Sequence, residues 1–459
     1  MLFLKRGPML ERKIAKRLEQ FYEKKEKKAL LITGARQVGK TFIIEQLAKK
    51  YRHYVRINFI ENPAAASLFE NASRVDEMLL RISVFAGKEL VKNETLIFFD
   101  EVQECRNIAT AIKFLVEEGS YQYIMSGSLL GVDLKDIRSV PVGYMDVEEM
   151  FPLDFEEFLT ANGVSQRVFD ALRDSFEKKT PVDQLVHNKL LEFFRLYLIV
   201  GGMPAVVQKY LDTNNIADVV SEQKSIIRLY KKDIAKYDPQ NKLYLEDIFD
   251  LIPSELNSKN KRFLLKNINE NQRFSRFENS FIWLKDAGVA LPVFCVNEPK
   301  IPLLLSKTTN LFKLFLADVG LLASMYMDGI QLKILNDEAD INFGSVYENA
   351  AAQELKAHGF NLFYFNSKKQ GELDFVIEQN GEVVPIEIKS GKDYAKHAAL
   401  NNVCNNEDYG IRNAFVFHNG NVEQRGKITY LPVYMMMFVK NVSIDEKMIY
   451  KIDSDVLNG

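Results

Sequence analysis

Apolar positions along the chain follow two periods, and the change from one to the other divides it. Between Ala29 and Ser128, short near-continuous apolar runs alternate with helical spacing; Ala29–Thr33, Tyr54–Phe59, Leu96–Phe99 and Tyr121–Met125 read as buried parallel strands. This is the α/β pattern of a doubly wound sheet. Upstream, Met9 to Lys28 spells an amphipathic helix that ends in a solvated lysine run. From Phe155 to Lys236 the spacing is helical, broken at Gly201-Gly202-Met203-Pro204, where two glycines and a proline end one helix and start another. Pro239 to Asp328 mixes helices with apolar runs at Val289–Val296 and Leu311–Leu316, and one reading is a helical unit with a small wing. A final α/β unit starts near Gly344, with helix Ser345–His358 and strands Asn361–Asn366, Glu372–Gln379 and Glu382–Lys389.

The first strand runs into Gly34-Ala35-Arg36-Gln37-Val38-Gly39-Lys40-Thr41, which matches G-x-x-x-x-G-K-[ST] between a strand and a helix. Such a loop presents backbone N–H groups to phosphate oxygens, which glycines permit and side chains obstruct. Lys40 supplies a point charge for the β- and γ-phosphates, Thr41 a hydroxyl for Mg²⁺, and the helix N-terminus its positive dipole end. The third strand ends in Asp100-Glu101, where Asp100 would hold Mg²⁺ through its water shell and Glu101 would orient the attacking water. The next strand ends in Ser126-Gly127-Ser128 at the carboxyl edge of the sheet, so Ser126 and Ser128 are candidates to sense the γ-phosphate. Arg138 and Arg36 are candidates for the arginine that phosphoryl transfer often recruits, and donation in trans makes a homo-oligomer a candidate assembly.

Bulk properties narrow the setting. The chain has 459 residues, a formal charge of −2 and an ordinary globular composition, so a nucleic-acid partner must meet a local patch. The expected location is cytoplasmic with no membrane span: Cys105, Cys295 and Cys404 have no metal or disulfide spacing, and the longest apolar stretches are broken by Gly201, Gly202 and Pro204.

Taken together, GARQVGKT, Asp100-Glu101-Val102-Gln103, Ser126–Ser128, PLDFEEFL at Pro152–Leu159, GGMP at Gly201–Pro204, and the terminal GELDFVI and EIKSG segments resemble the prokaryotic AAA+-type ATPases that carry a C-terminal domain of unknown function. The resemblance implies an AAA+-like P-loop core (1–154), a helical lid (155–238), a winged-helix-like unit (239–338) and a C-terminal α/β domain (339–459). Many such proteins have Gly-Arg before the P-L-[ST]-F segment, where this chain has Gly143-Tyr144. If that arginine assists hydrolysis in relatives, its role here is vacant or moved.

In the last unit, Asn380-Gly381 between two alternating runs signals a type I′ hairpin. Counting outward pairs Gln379 with Glu382 and Asp374 with Glu387. Leu373, Phe375 and Ile377 then share a core face with Val384, Ile386 and Ile388, while Asp374, Glu387 and Lys389 share the other. Opposed carboxylates about 5 Å apart repel by roughly 3 kcal/mol at an effective dielectric near 20, so a counter-charge is needed. Mg²⁺ is one, with Lys389 orienting a water for phosphodiester cleavage. The arrangement looks like the PD-(D/E)-x-K nuclease superfamily, and Glu348 matches the upstream helical glutamate, which makes Glu348, Asp374 and Glu387 the metal ligands by that likeness. The bland alternative is a charged hairpin face with Lys389 bridging two acids, and Pro385 weakens the register. Finally, Lys259, Lys261, Arg262, Lys266, Arg273 and Arg276, opposed only by Glu270, form the most basic stretch of the third region, either a phosphate-contacting patch for DNA or another nucleic acid or a solvated face.

Overall fold

The computed structural model describes residues 10–70, 74–127, 143–237, 242–258, 261–264, 274–326, 329–336, 343–391 and 393–441. Helix α1 (Ile14–Glu23) precedes strand β1 (Ala29–Thr33), which is followed by α2 (Lys40–Ala48), β2 (His53–Asn58), α3 (Val75–Ala86), β3 (Thr95–Asp100), α4 (Ile108–Glu118), β4 (Gln122–Gly127) and β5 (Met145–Glu149). The five strands are all parallel, in the order β2-β3-β4-β1-β5. Leu30 and Ile32 face one packed layer and Ala29 and Leu31 the other, which is why the run is continuously apolar. Strand β5 escapes the apolar-run criterion because it is an edge strand whose residues are all partly or fully exposed.

Five helices follow: α5 (Phe155–Ala161), α6 (Gln166–Lys178), α7 (Gln184–Val200), α8 (Pro204–Thr213) and α9 (Ile216–Tyr237). A capping box between Asp154 and Glu157 starts α5, and Pro204 sits in the first turn of α8, where its missing N–H costs nothing. The break at Gly201-Gly202 serves close packing. A Cβ on Gly202 would lie 2.0 Å from the Leu153 carbonyl oxygen, and one on Gly201 2.3 Å from an Asp318 carboxylate oxygen.

Beyond α10 (Lys242–Asn257) and α11 (Phe274–Asp286) come β6 (Ala290–Val296), β7 (Lys307–Leu316), α12 (Val319–Met325), α13 (Ile330–Leu335), α14 (Gly344–Ala357), β8 (Phe363–Ser367), β9 (Gly371–Gln379), β10 (Glu382–Ile388), α15 (Ala398–Asn405), β11 (Ala414–His418), β12 (Glu423–Arg425) and β13 (Ile428–Pro432). All eight strands form one mixed sheet, β12-β13-β11-β10-β9-β8-β6-β7. The expected wing is therefore not a wing. The β6–β7 hairpin is antiparallel as predicted, but β6 also pairs in parallel with β8, so the boundary expected near residue 339 runs through a continuous sheet.

The Asn380-Gly381 turn has positive φ at both residues, as a type I′ turn requires, and the predicted register holds from Gln379↔Glu382 to Phe375↔Ile386. There the ladder stops. A register shift between β8 and β9 inserts one extra β9 residue around Asp374, so Leu373 joins the layer of Val376 and Val383, not that of Phe375 and Ile377 as the simple alternation predicts. Pro385 is tolerated in a central strand because the parallel partner β11 begins pairing only at Ile386.

Candidate functional sites

The first site lies at the carboxyl edge of the parallel sheet. The phosphate loop turns through left-handed backbone at Gly34, Gln37 and Gly39, and Lys40 opens α2, so the first N–H groups of that helix have no intrahelical partner. Lys40 is buried; its Nζ donates to the Gly34 and Ala35 carbonyls, both at 2.8 Å. Burial pulls its pKa down to about 8, assisted by Arg36 and opposed by Glu101 and Asp100. The Thr41 hydroxyl lies 3.1 and 3.2 Å from the two Asp100 oxygens, the pairing expected of a shared Mg²⁺ site. Glu101 takes a left-handed backbone conformation just past the strand, and the Gln103 amide donates to its carboxylate at 2.7 Å.

Arg36, Gln37, Gly39, Lys40, Thr41, Phe42 and Glu101 line an open cavity of about 510 Å³ together with Leu229, Tyr230 and Asp233 of α9. The sequence motifs thus converge, with one correction. Ser126 is fully buried and donates its hydroxyl to Asp100, so it positions that carboxylate and does not reach the cavity. Ser128 and Arg138 lie outside the described residues.

Three contributors were missed. Arg56 donates to Asp100 from Nη2 at 2.7 Å, and Asn58 does so at 3.1 Å. Arg12 bridges the Val38 carbonyl at 2.9 Å, the Phe151 carbonyl at 2.6 Å and the Glu157 carboxylate at 3.2 Å, holding the back of the phosphate loop. Polar residues at the carboxyl end of an otherwise half-buried strand, Arg56 and Asn58, were a legible signal; a lone Arg12 was not. Tyr144 accepts the Ala29 N–H at 2.9 Å and donates to Glu117, at the amino edge of β1, opposite the phosphate loop. A side chain there does not reach this nucleotide cavity, so the Gly143-Tyr144 departure leaves no gap in it.

The second cluster sits on the C-terminal sheet. Asp374, Glu387, Lys389 and Glu348 do converge: Lys389 Nζ lies 2.8 Å from Glu387, Asp374 accepts the Ile388 N–H at 2.9 Å, and Asp374 is near enough to push up the pKa of both Glu387 and Glu348. The counter-charge is supplied by further lysines. Lys261 ion-pairs with Glu348, and the fully buried Lys313 meets Glu372 at 2.9 Å. Burial, then Asp374, push Glu387 up to about 8 against the pull of Lys389, and the same two causes raise Glu348. Burial also works against the charge on Asp374, but Lys313, Lys261 and Lys389 outweigh it and hold that carboxyl low.

These residues do not fit the expected metal site. Ammonium groups already neutralise the carboxylates, and among the described residues no three His, Cys, Asp or Glu side chains are close enough to hold a metal ion. The basic stretch changes meaning too. Lys261 and Arg262 turn inward, onto Glu348 and toward Glu372 at 3.9 Å, and are not offered to phosphates; Lys259, Lys266, Glu270 and Arg273 lie outside the described residues. No described helix is long and apolar enough to cross a membrane.

Comparison with known proteins agrees with the first site. Residues 26–159 match the family model described as AAA domain. Residues 191–334 and 343–436 match two models described as domains of unknown function, DUF8612 and DUF4143. The chain is 22% identical over 412 residues to an uncharacterized protein, MJ1637, of Methanocaldococcus jannaschii, covering 83% of this chain and 80% of that one. Among solved structures, the Walker-type ATPase of Pyrococcus abyssi aligns with a TM-score of 0.45 and 14% identity, over 71% of this chain and 100% of that one. The Aeropyrum pernix Orc1 protein, solved in complex with DNA, aligns with a TM-score of 0.32 and 12% identity, over 73% of this chain and 95% of that one.

Proposed function

We propose that the protein is a Mg²⁺-dependent ATPase whose nucleotide state is passed directly to the C-terminal sheet. The observation that carries this reading is the convergence of Lys40, Thr41 and Glu101 on one cavity, with Asp100 buried behind Thr41 and accepting its hydroxyl. Lys40 exchanges its two loop carbonyls for phosphate oxygens. Thr41 and Asp100 would hold Mg²⁺, which would offset the negative charge of the phosphates. Glu101 orients a water and receives its proton as the water oxygen bonds to the γ-phosphorus and the bond to the bridging oxygen breaks, leaving ADP and phosphate. Gln103 sets the direction in which Glu101 points.

The coupling route is short. A Cβ on Gly288, in the turn before β6, would lie 2.8 Å from the Ala35 nitrogen, so the C-terminal unit touches the phosphate loop itself. Glu354 of α14 accepts the Phe155 N–H at 2.6 Å, next to the segment that Arg12 ties to Val38.

For the output, the lysine-neutralised carboxylates favour a nuclease-like domain that recruits a protein partner without cutting nucleic acid, the ATPase serving as a slow switch. The test is incubation with single- and double-stranded DNA and RNA in Mg²⁺ or Mn²⁺, with and without ATP. No cleavage is expected; cleavage abolished by both Asp374→Ala and Lys389→Ala would restore the metal-dependent nuclease, acting on nucleic acid, as the output.

A further inference from the structure

Arg36 sits inside the phosphate loop, and its guanidinium projects into the nucleotide cavity, where it ion-pairs with Asp233 of α9. One further contact fixes this arrangement. The Tyr230 hydroxyl donates to the Arg36 carbonyl at 3.1 Å, so α9 grips backbone and side chain of the same residue. Arg36 is also close enough to Lys40 to depress its pKa. Two cations that repel one another therefore face one cavity, and a single carboxylate from another element steadies the second of them. An anion that enters between Lys40 and Arg36 relieves the repulsion and competes with Asp233 for the guanidinium fork.

We infer that Arg36 is a catalytic residue of the ATPase, contacting the γ-phosphate in cis, and that Asp233 holds it in reserve on α9. Resting on the ATPase reading, this assigns the positive charge that phosphoryl transfer needs to the loop itself, with no second subunit required. It also makes α9 sensitive to the γ-phosphate. With ATP, Arg36 leaves Asp233 and the α9 side-chain tether is released; with ADP, which has no γ-phosphate, the Arg36–Asp233 pair re-forms.

The inference separates from a purely structural role by what each variant does to binding and to turnover. Arg36→Ala is expected to lower kcat at least about a hundredfold, within the range attributed to arginine fingers, while ATP affinity changes much less. It should also abolish trapping of ADP with aluminium fluoride, which reports the transition-state charge. Arg36→Lys should recover part of kcat, since it restores charge without the fork. Asp233→Asn frees Arg36 and should tighten ATP by about two- to fivefold, the scale of a partly exposed ion pair, while leaving ADP affinity unchanged. If Arg36→Ala keeps kcat within about threefold and still traps ADP with aluminium fluoride, or if Asp233→Asn shifts ADP as much as ATP, Arg36 is structural and the inference is wrong. Wild-type protein that binds ATP yet never releases phosphate defeats the ATPase reading beneath it, a distinct result.

Discussion

The carboxylate of Asp318 accepts the backbone N–H of Gly202 at 2.6 Å, joining residues 116 positions apart. Its other oxygen caps α12 by accepting the Leu321 N–H at 2.9 Å. One acid thus pins the helical layer, through the GGMP break, to the C-terminal unit, and the close approach leaves no room for a side chain at Gly202 or Gly320.

Gly202→Ala places a methyl 2.0 Å from a backbone oxygen and 2.7 Å from a backbone nitrogen, neither of which can rotate away. The expected loss of stability is about 3 kcal/mol, the upper range for overpacking. Gly391→Ala, with open space around its Cβ, is the control. Equal thermal midpoints for the two variants would refute this packing account.

Asp318 also titrates. Burial raises its pKa to about 6, against the backbone donors that lower it, whereas an unfolded Asp titrates near about 3.9. The folded state therefore binds the proton more tightly, and this group's contribution to stability is lost as pH rises from about 4 through 6. Subtracting the Asp318→Asn stability curve from the wild-type curve should leave a difference that declines over that interval and flattens above it. A flat difference throughout would show that Asp318 does not respond in this way.

Lys40, with its pKa lowered to about 8 chiefly by burial, should be pulled back toward full protonation by phosphate. Nucleotide binding at pH 8 is then accompanied by uptake of a fraction of a proton, and affinity weakens as pH rises further. Calorimetry in two buffers of different ionisation enthalpy reads the uptake. Proton release, or none, contradicts the placement of Lys40 on the phosphates.

Lys313 is fully buried beside Glu372, with Glu348 and Asp374 near enough to raise its pKa. Lys313→Met strands those carboxylates, at a cost of about 3 to 5 kcal/mol. Lys313 helps hold the Asp374 carboxyl low, so without it protonation relieves the stranded charge, and the loss should be largest near neutral pH and shrink as pH falls. Denaturant unfolding at two pH values distinguishes this from a simple packing defect, which would be pH-independent.

What could be read from the chain depended on how far apart the partners lie. The phosphate loop is eight consecutive residues with a strand before and a helix after, so its chemistry is local and legible. Asp100 and Glu101 became legible by position at a strand end. Arg56, Arg12, Asp233 and Asp318 mark no motif of their own and act on motif residues across 26 or more positions. The C-terminal hairpin register followed from one turn, whereas the extra residue at Asp374 is set by β8, a neighbour that local alternation does not see. Lys261 and Arg262 read as a surface patch because charge alone does not say which way a side chain points; their carboxylate partners lie on other elements.

The central claim is tested most directly by measuring nucleotide affinity and phosphate release together for wild type, Lys40→Ala and Glu101→Gln in Mg²⁺. The account predicts that wild type binds ATP and releases phosphate, that Lys40→Ala loses binding, and that Glu101→Gln binds as wild type does while turnover falls about a hundredfold or more. Unchanged ATP affinity in Lys40→Ala, or undiminished phosphate release by Glu101→Gln, would contradict it.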